Sequence, residues 1–301
     1  MPVVSPYAEQ LDRIPVQERA LLVDGAETRF WDYGSPDAAT TIVMVHGFRG
    51  DHHGLEPVVA QLSGFRIVAP DLPGFGSSAP LTISAHSVDG YAAWLGRFME
   101  ALAPTGRIVL LGHSFGSIVS SAAVAGGLRP DDLVLINPIA APALQGPRGV
   151  LTRLAVFYYW SSAKLPRRLG FAFLRNKGVV RIMSVAMAKT KDPSLRRWIH
   201  DQHDQYFSAF SDREVVLESF TASVSHDVSE YADRIPTRTL LIAAERDDIT
   251  PVAAQFVLAE RFADAQLHVI PGVGHLIHYE EPHDAAARLT TFLAAEPPAD
   301  D

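Results

Sequence analysis

The chain has 301 residues, 48% of them hydrophobic, with a formal net charge of −8 and no cysteine. This is enough apolar material for one large α/β domain or a domain carrying an insertion. It excludes disulfides, thiolate metal sites and a cysteine nucleophile, and it argues against nucleic acid and anionic membranes as partners, since both favour clustered Lys and Arg.

The first 18 or so residues are polar with scattered prolines and read as an arm, with neither the basic start nor the apolar run of a signal peptide. Apolar stretches are too short to span a bilayer, so a soluble, cytoplasmic protein is expected. Residues 20–23 and 28–33 flank Asp24-Gly25, a hairpin signal. The β-branched run 42–45 predicts a buried strand ending in His46-Gly47-Phe48-Arg49-Gly50, and a helix is expected over 56–62. A strand over 66–70 leads into the loop Asp71-Leu72-Pro73-Gly74-Phe75-Gly76-Ser77-Ser78. Tyr91, Leu95, Phe98 and Leu102 give 88–102 helical spacing. Strands are expected at 108–111, 133–136, 239–243 and 267–270, with helices over 252–262 and 282–293 and a frayed tail over 297–301. This alternation implies a mostly parallel sheet covered on both faces, with sites at the carboxyl ends of its strands. From about 138 to 234 the alternation stops, and a stretch rich in helix formers and aromatics reads as a helical insertion.

The chain is organised around Gly112-His113-Ser114-Phe115-Gly116, between an apolar strand and a helix. Strand, tight turn and helix are the context of a nucleophile elbow, in which a serine hydroxyl is pushed into a cleft. Serine needs a base, and the base needs a carboxylate. His275, in a Gly-rich loop after a strand, and Asp247, in the loop before Pro251, supply both; Asp248 is the rival acid, and Thr250 and Pro251 look like the cap and first residue of the following helix. His46 reads as a brace of its loop, Asp71 as a structural acceptor and His113 as packing. His52 and His53, with His46 and Asp51, read as a solvated loop or pocket rim, and His200 and His203 share a helical face with Asp204, with no metal expected at either place. One or two residues of 157–160 line an acyl pocket on this reading, with Phe157 and Tyr158 as candidates; Met183 and Met187 are either cap core or substrate-facing, and the paired arginines of this region read as a solvated face, with an anionic substrate group as the alternative.

With Ser114, Asp247 and His275 in that order, the sequence resembles the α/β-hydrolase superfamily, in the capped branch that holds many small esterases, over about residues 20–295. The resemblance implies a mostly parallel eight-stranded sheet, with core parts at 1–137 and 235–301 and a helical cap at 138–234. It also implies a catalytic triad of Ser114, Asp247 and His275, and an oxyanion hole from the backbone N–H groups of Phe48 and Phe115. The loop 71–78 matches the family pattern, while Ala244 and Ser117 stand where glycine is common. The reaction implied is cleavage of a carboxylic ester of a small-to-medium apolar substrate, without a cofactor, with His46, Phe157, Tyr158, Met183 and Met187 as substrate contacts. Cleavage of a carbon–carbon bond in a vinylogous diketone, lactone or thioester hydrolysis, and a ligand receptor on the same fold remain alternatives.

Overall fold

The computed structural model describes residues 3–141 and 149–295, and their side chains except those of 149–154. The expected frayed tail and part of the insertion lie outside the described residues. In chain order the elements are α1 (Ala8–Leu11), β1 (Val16–Val23), β2 (Ala26–Tyr33), β3 (Thr40–Val45), α2 (Glu56–Val59), β4 (Arg66–Pro70), α3 (Val88–Leu102), β5 (Arg107–His113), α4 (Phe115–Ala125) and β6 (Asp132–Ile136). After these come α5 (Gly149–Lys164), α6 (Arg167–Leu174), α7 (Lys177–Met187), α8 (Pro193–Tyr206) and α9 (Arg213–Ser225). The chain then re-enters the sheet with β7 (Arg238–Ala244), α10 (Val252–Ala259), β8 (Ala265–Ile270), α11 (Ile277–Glu280) and α12 (Pro282–Ala294).

The hairpin turns on Asp24 (φ 54°) and Gly25 (φ 76°), the positive dihedrals that a two-residue loop needs to match strand twist. β1 starts four residues before the apolar pattern does. Its polar first half lies at the sheet edge, where Glu18 pairs with Arg29 at 2.9 Å and Arg19 with Asp32 at 2.8 Å, so charge pairing takes the place of alternation. α2 is shorter than the spacing predicts, ending at Val59 in a turn that still buries Leu62.

The eight strands form one sheet in the order β1-β2-β4-β3-β5-β6-β7-β8; β1 and β2 pair antiparallel and the six from β4 to β8 run parallel. Successive side chains along a strand face opposite sides. Val43, Val45 and Leu110 therefore pack with Tyr91, Trp94 and Phe98 of α3 and Ile118 of α4. Ile42, Met44, Val109 and Leu111 pack with Val58 and with Leu289 and Phe292 of α12. Each fully buried side chain of this size contributes about 1.5–3 kcal/mol, and the two layers together hold the strand ends in fixed register.

Helices α5 to α9 lie between β6 and β7. They are tied to the core over the loop that follows β4, where Gly76 N–H donates to Ala209 O at 2.8 Å and Ser211 N–H to Gly74 O at 2.9 Å. A second tie runs through Glu280, which accepts from the N–H groups of Lys189 at 2.6 Å and Thr190 at 2.8 Å. Among the described residues, no helix is long and apolar enough to cross a membrane.

Candidate active site

β5 ends against α4 with Ser114 between them at φ 53°, ψ −118°, a strained backbone for a residue with a Cβ. Close approach on both sides fixes this turn. A Cβ on Gly112 would lie 2.4 Å from Gly116 O, and one on Gly116 would lie 2.2 Å from Val45 O. The Ser117 hydroxyl donates to Ser114 O at 2.5 Å and accepts from Ile139 N–H at 3.2 Å.

Ser114 Oγ lies 2.7 Å from Nε2 of His275, and Nδ1 of His275 lies 2.8 Å from Oδ2 of Asp247. The serine hydroxyl donates to Nε2 and the Nδ1–H to the carboxylate. Burial pushes the Asp247 carboxyl up, but the charge and hydrogen bond of His275 and the N–H groups of Ile249 (2.7 Å) and Thr250 (3.2 Å) outweigh it, leaving the group below the usual carboxylate range. Asp247 thus closes its own turn; α10 begins at Val252 with Pro251 as its cap, one residue later than Thr250-Pro251 predicted. Asp248 points elsewhere and pairs with Lys189 of the insertion. The loops after β7 and β8 are joined by Arg246 N–H to Val273 O at 2.9 Å, which holds Asp247 and His275 in one frame.

Asn137 completes the surroundings of Asp247 and is not apparent in the sequence. It follows β6 at φ 47°, and its amide donates to Asp247 Oδ2 at 3.1 Å. Only the fold brings it there, through Asn137 N–H to Ile242 O at 2.8 Å.

His46 Nδ1–H donates to Gly47 O at 2.8 Å and its Nε2 accepts from Leu72 N–H at 2.8 Å. Burial holds the ring below the ordinary histidine pKa, the neutral form these bonds require. The next residue, Phe48, has its ring against Phe75, Tyr159 and Phe220. Among the described residues neither the Phe48 N–H nor the Phe115 N–H has a protein acceptor, and both residues line the cavity that holds Ser114. Arg49 follows at φ 61° and is fully buried. Its guanidinium donates to Leu174 O at 3.0 Å, Phe207 O at 3.0 Å and Tyr159 Oη at 3.3 Å, with no described carboxylate as partner.

The cavity measures about 610 Å³ and joins Ser114 and His275 to Tyr158, Met183 and Met187, together with Val179, Ile182 and Phe220. His46 reaches it as a wall. Phe157 does not line it: α5 turns Tyr159 inward and leaves Phe157 63% exposed, in a separate outer groove. His113 also lines the cavity, its ring 4.1 Å from His278 and 5.7 Å from His275; burial, and then the charge of His275, push it down to about 3. His200 and His203 meet at the Ser184 hydroxyl, at 2.6 and 2.7 Å from their Nδ1 atoms, while Asp204 pairs with Arg181 instead. Asp51, His52 and His53 bring ligand-type atoms within 4.8 Å of one another, but each Nδ1 is engaged, His52 with buried Asp71 at 2.9 Å and His53 with Asp51 at 3.1 Å; Asp51 and His52 are buried, not on the solvated rim expected, because the His52 ring stacks on Trp31. Asp71 also accepts from Ser77 N–H at 2.8 Å, the acceptor role expected of it.

The model of the Alpha/beta hydrolase family matches residues 42–289. The chain is 27% identical over 289 residues to 2-hydroxy-6-oxo-2,4-heptadienoate hydrolase of Pseudomonas putida, covering 92% of this chain and 96% of that protein. It is 22% identical over 268 residues to monoacylglycerol lipase ABHD6 of Bos taurus, covering 87% and 77%. An esterase of Exiguobacterium antarcticum superposes with a TM-score of 0.75 at 18% identity, over 93% of this chain and all of that one. With a family model spanning most of the sequence and the same fold in solved structures, the chain belongs to the alpha/beta hydrolase family.

Proposed function

We propose that the protein is a serine hydrolase that cleaves neutral carboxylic esters with an apolar acyl or alcohol chain. The carrying observation is the unbroken line from Ser114 Oγ through His275 to Asp247, at 2.7 and 2.8 Å. His275 Nε2 takes the Ser114 proton as Oγ attacks the ester carbonyl carbon. The N–H groups of Phe48 and Phe115 donate to the oxyanion, each at a typical value of about 3–4 kcal/mol. His275 then gives its proton to the leaving alcohol, and water, deprotonated by the same Nε2, releases the acid from Ser114. Asp247 holds the tautomer and balances the imidazolium. On this reading residues 138–234 form a cap over core parts at 1–137 and 235–301, and Tyr158, Met183 and Met187 contact the substrate.

The 27% identical relative acts on a dienoate, and the same triad would serve carbon–carbon cleavage. A carboxylate-bearing substrate calls for a cation in the site, and none of the cavity's lining residues is Lys or Arg. This favours the neutral ester. Hydrolysis of p-nitrophenyl esters of increasing chain length, beside a 2-hydroxy-6-oxo-dienoate, tests the reading: kcat/KM rises with chain length and is lost in Ser114→Ala. Turnover of the dienoate above every ester, or activity surviving in Ser114→Ala, overturns it.

A further inference from the structure

The net charge of the chain conceals a division. Residues 155–197 hold ten Lys and Arg against one acidic residue, Asp192, whereas the rest of the chain holds sixteen against thirty-three. Some of this charge is met from outside the stretch: Arg167 reaches Asp212, Arg181 reaches Asp204 and Lys189 reaches Asp248. On α5 to α7, Lys164, Arg168 and Lys177 are exposed and form no ion pair with a described carboxylate, and the same holds for Lys191, Arg196 and Arg197 just beyond α7.

The same stretch exposes large apolar side chains, with Phe157 at 63%, Leu169 at 58%, Ile182 at 71% and Val185 at 58%. Phe157, Trp160, Leu165 and Phe173 wall an open groove with Lys164 beside them, and the Phe157 and Trp160 rings stack 6.1 Å apart. This surface reaches the site. Tyr158 lines both the groove and the cavity that holds Ser114, and Ile182 lines that cavity while mostly exposed to solvent. A merely solvated basic face has no use for these side chains, and a nucleic-acid face has none for aliphatic Leu169, Ile182 and Val185. Unpaired cations interleaved with aromatic and aliphatic side chains fit one partner: phosphate head groups outside and acyl chains beneath them.

We propose that the outer face of helices α5 to α7 docks on anionic lipid membranes, with the mouth of the cavity turned toward the acyl layer. The charge complementarity is local, which is why the overall charge of −8 points the other way. An apolar ester leaving the bilayer then enters between Tyr158 and Ile182 without crossing water. Docking does not depend on the esterase reading, because it is read without turnover.

The test is co-sedimentation of the full chain with vesicles of phosphatidylcholine alone and of phosphatidylcholine mixed with phosphatidylglycerol, at low and high salt. The expected result is binding to the mixed vesicles only, weakened by salt. It falls about tenfold or more in the doubly charge-reversed Arg168→Glu/Lys177→Glu variant, and also in Trp160→Ser. All variants keep the wild-type thermal midpoint and their rate on p-nitrophenyl acetate. Equal binding to both vesicle types, binding to neither, or undiminished binding by the charge-reversed variant overturns the proposal. So does concentration-dependent dimerisation that Trp160→Ser abolishes without any vesicle binding, which would assign the face to a second copy.

Discussion

Asn137 donates its side-chain amide to Oδ2 of Asp247, the same oxygen that accepts from His275. Asp247 is thereby held from the β6 side as well as by its own turn, with the amide and the imidazole sharing one carboxylate oxygen. Asn137→Ala removes the bond and places a Cβ residue without polar compensation at φ 47°. The expected loss is about tenfold in kcat and about 1 kcal/mol in stability. Asn137→Gly relieves the backbone but not the bond, so it loses kcat while keeping its melting temperature. Equal kcat in all three proteins would mean that Asn137 does not position Asp247.

Asp247 and Asp248 are adjacent and chemically identical, yet only one faces the imidazole. Asp247→Asn keeps the size but favours the wrong tautomer, and kcat falls by about four orders of magnitude by analogy with serine proteases. Asp248→Asn removes a partly exposed pair with Lys189, worth about 1 kcal/mol or less, and leaves kcat within about threefold. Steady-state kinetics of the two variants separates them, and a reversed ranking would exchange the roles.

The meeting of Ser114, Asp247 and His275 was legible because each follows a strand, and strand ends are local features of sequence. The sheet was legible for the same reason, through the apolar runs from Ile42 to Ile270. What was hidden depends on contacts distant in sequence. Asn137 meets a residue 110 positions away and Arg49 one 125 positions away, and neither leaves a local signature. Phe157 was an even choice with its neighbours, since four consecutive aromatics point round a whole helical turn; the burial of Tyr159 decides it. The overall charge says little about the surface, because summing over the chain hides the basic stretch 155–197.

Arg49 is a buried cation whose partners are the Tyr159 hydroxyl and the carbonyls of Leu174 and Phe207, at the ends of α6 and α8. Positive charge suits a helix C-terminus, and the residue adjoins Phe48. Arg49→Met fills similar space but strands both carbonyls, each unmet acceptor costing about 1–3 kcal/mol. The expected result is a lower melting temperature and faster amide exchange in 167–174 and 200–207 than in β3 or β5. Uniform exchange across the chain would show that Arg49 does not pin α6 and α8.

His113 and His203 are each pushed down to about 3, chiefly by burial, then by the charge of His275 on the first and of His200 and Arg181 on the second; His278 lies well below its ordinary value for the same first reason. Their folded pKa is depressed, so the unfolded chain binds protons that the folded one refuses. Stability is therefore fully present above about pH 6.5 and is lost progressively as pH falls toward about 3. Between pH 7 and 5, His113 and His203 each remove about 2 kcal/mol. Asp247 and Asp71, whose folded pKa is also depressed, add to the loss only as the pH falls below the ordinary carboxylate range near 4. The urea midpoint should fall steadily from pH 7 to 5, and His113→Asn should flatten the slope by about one proton. A midpoint constant over that range would mean that these rings take up protons in the folded state, and so are not held neutral beside the Ser114 cavity.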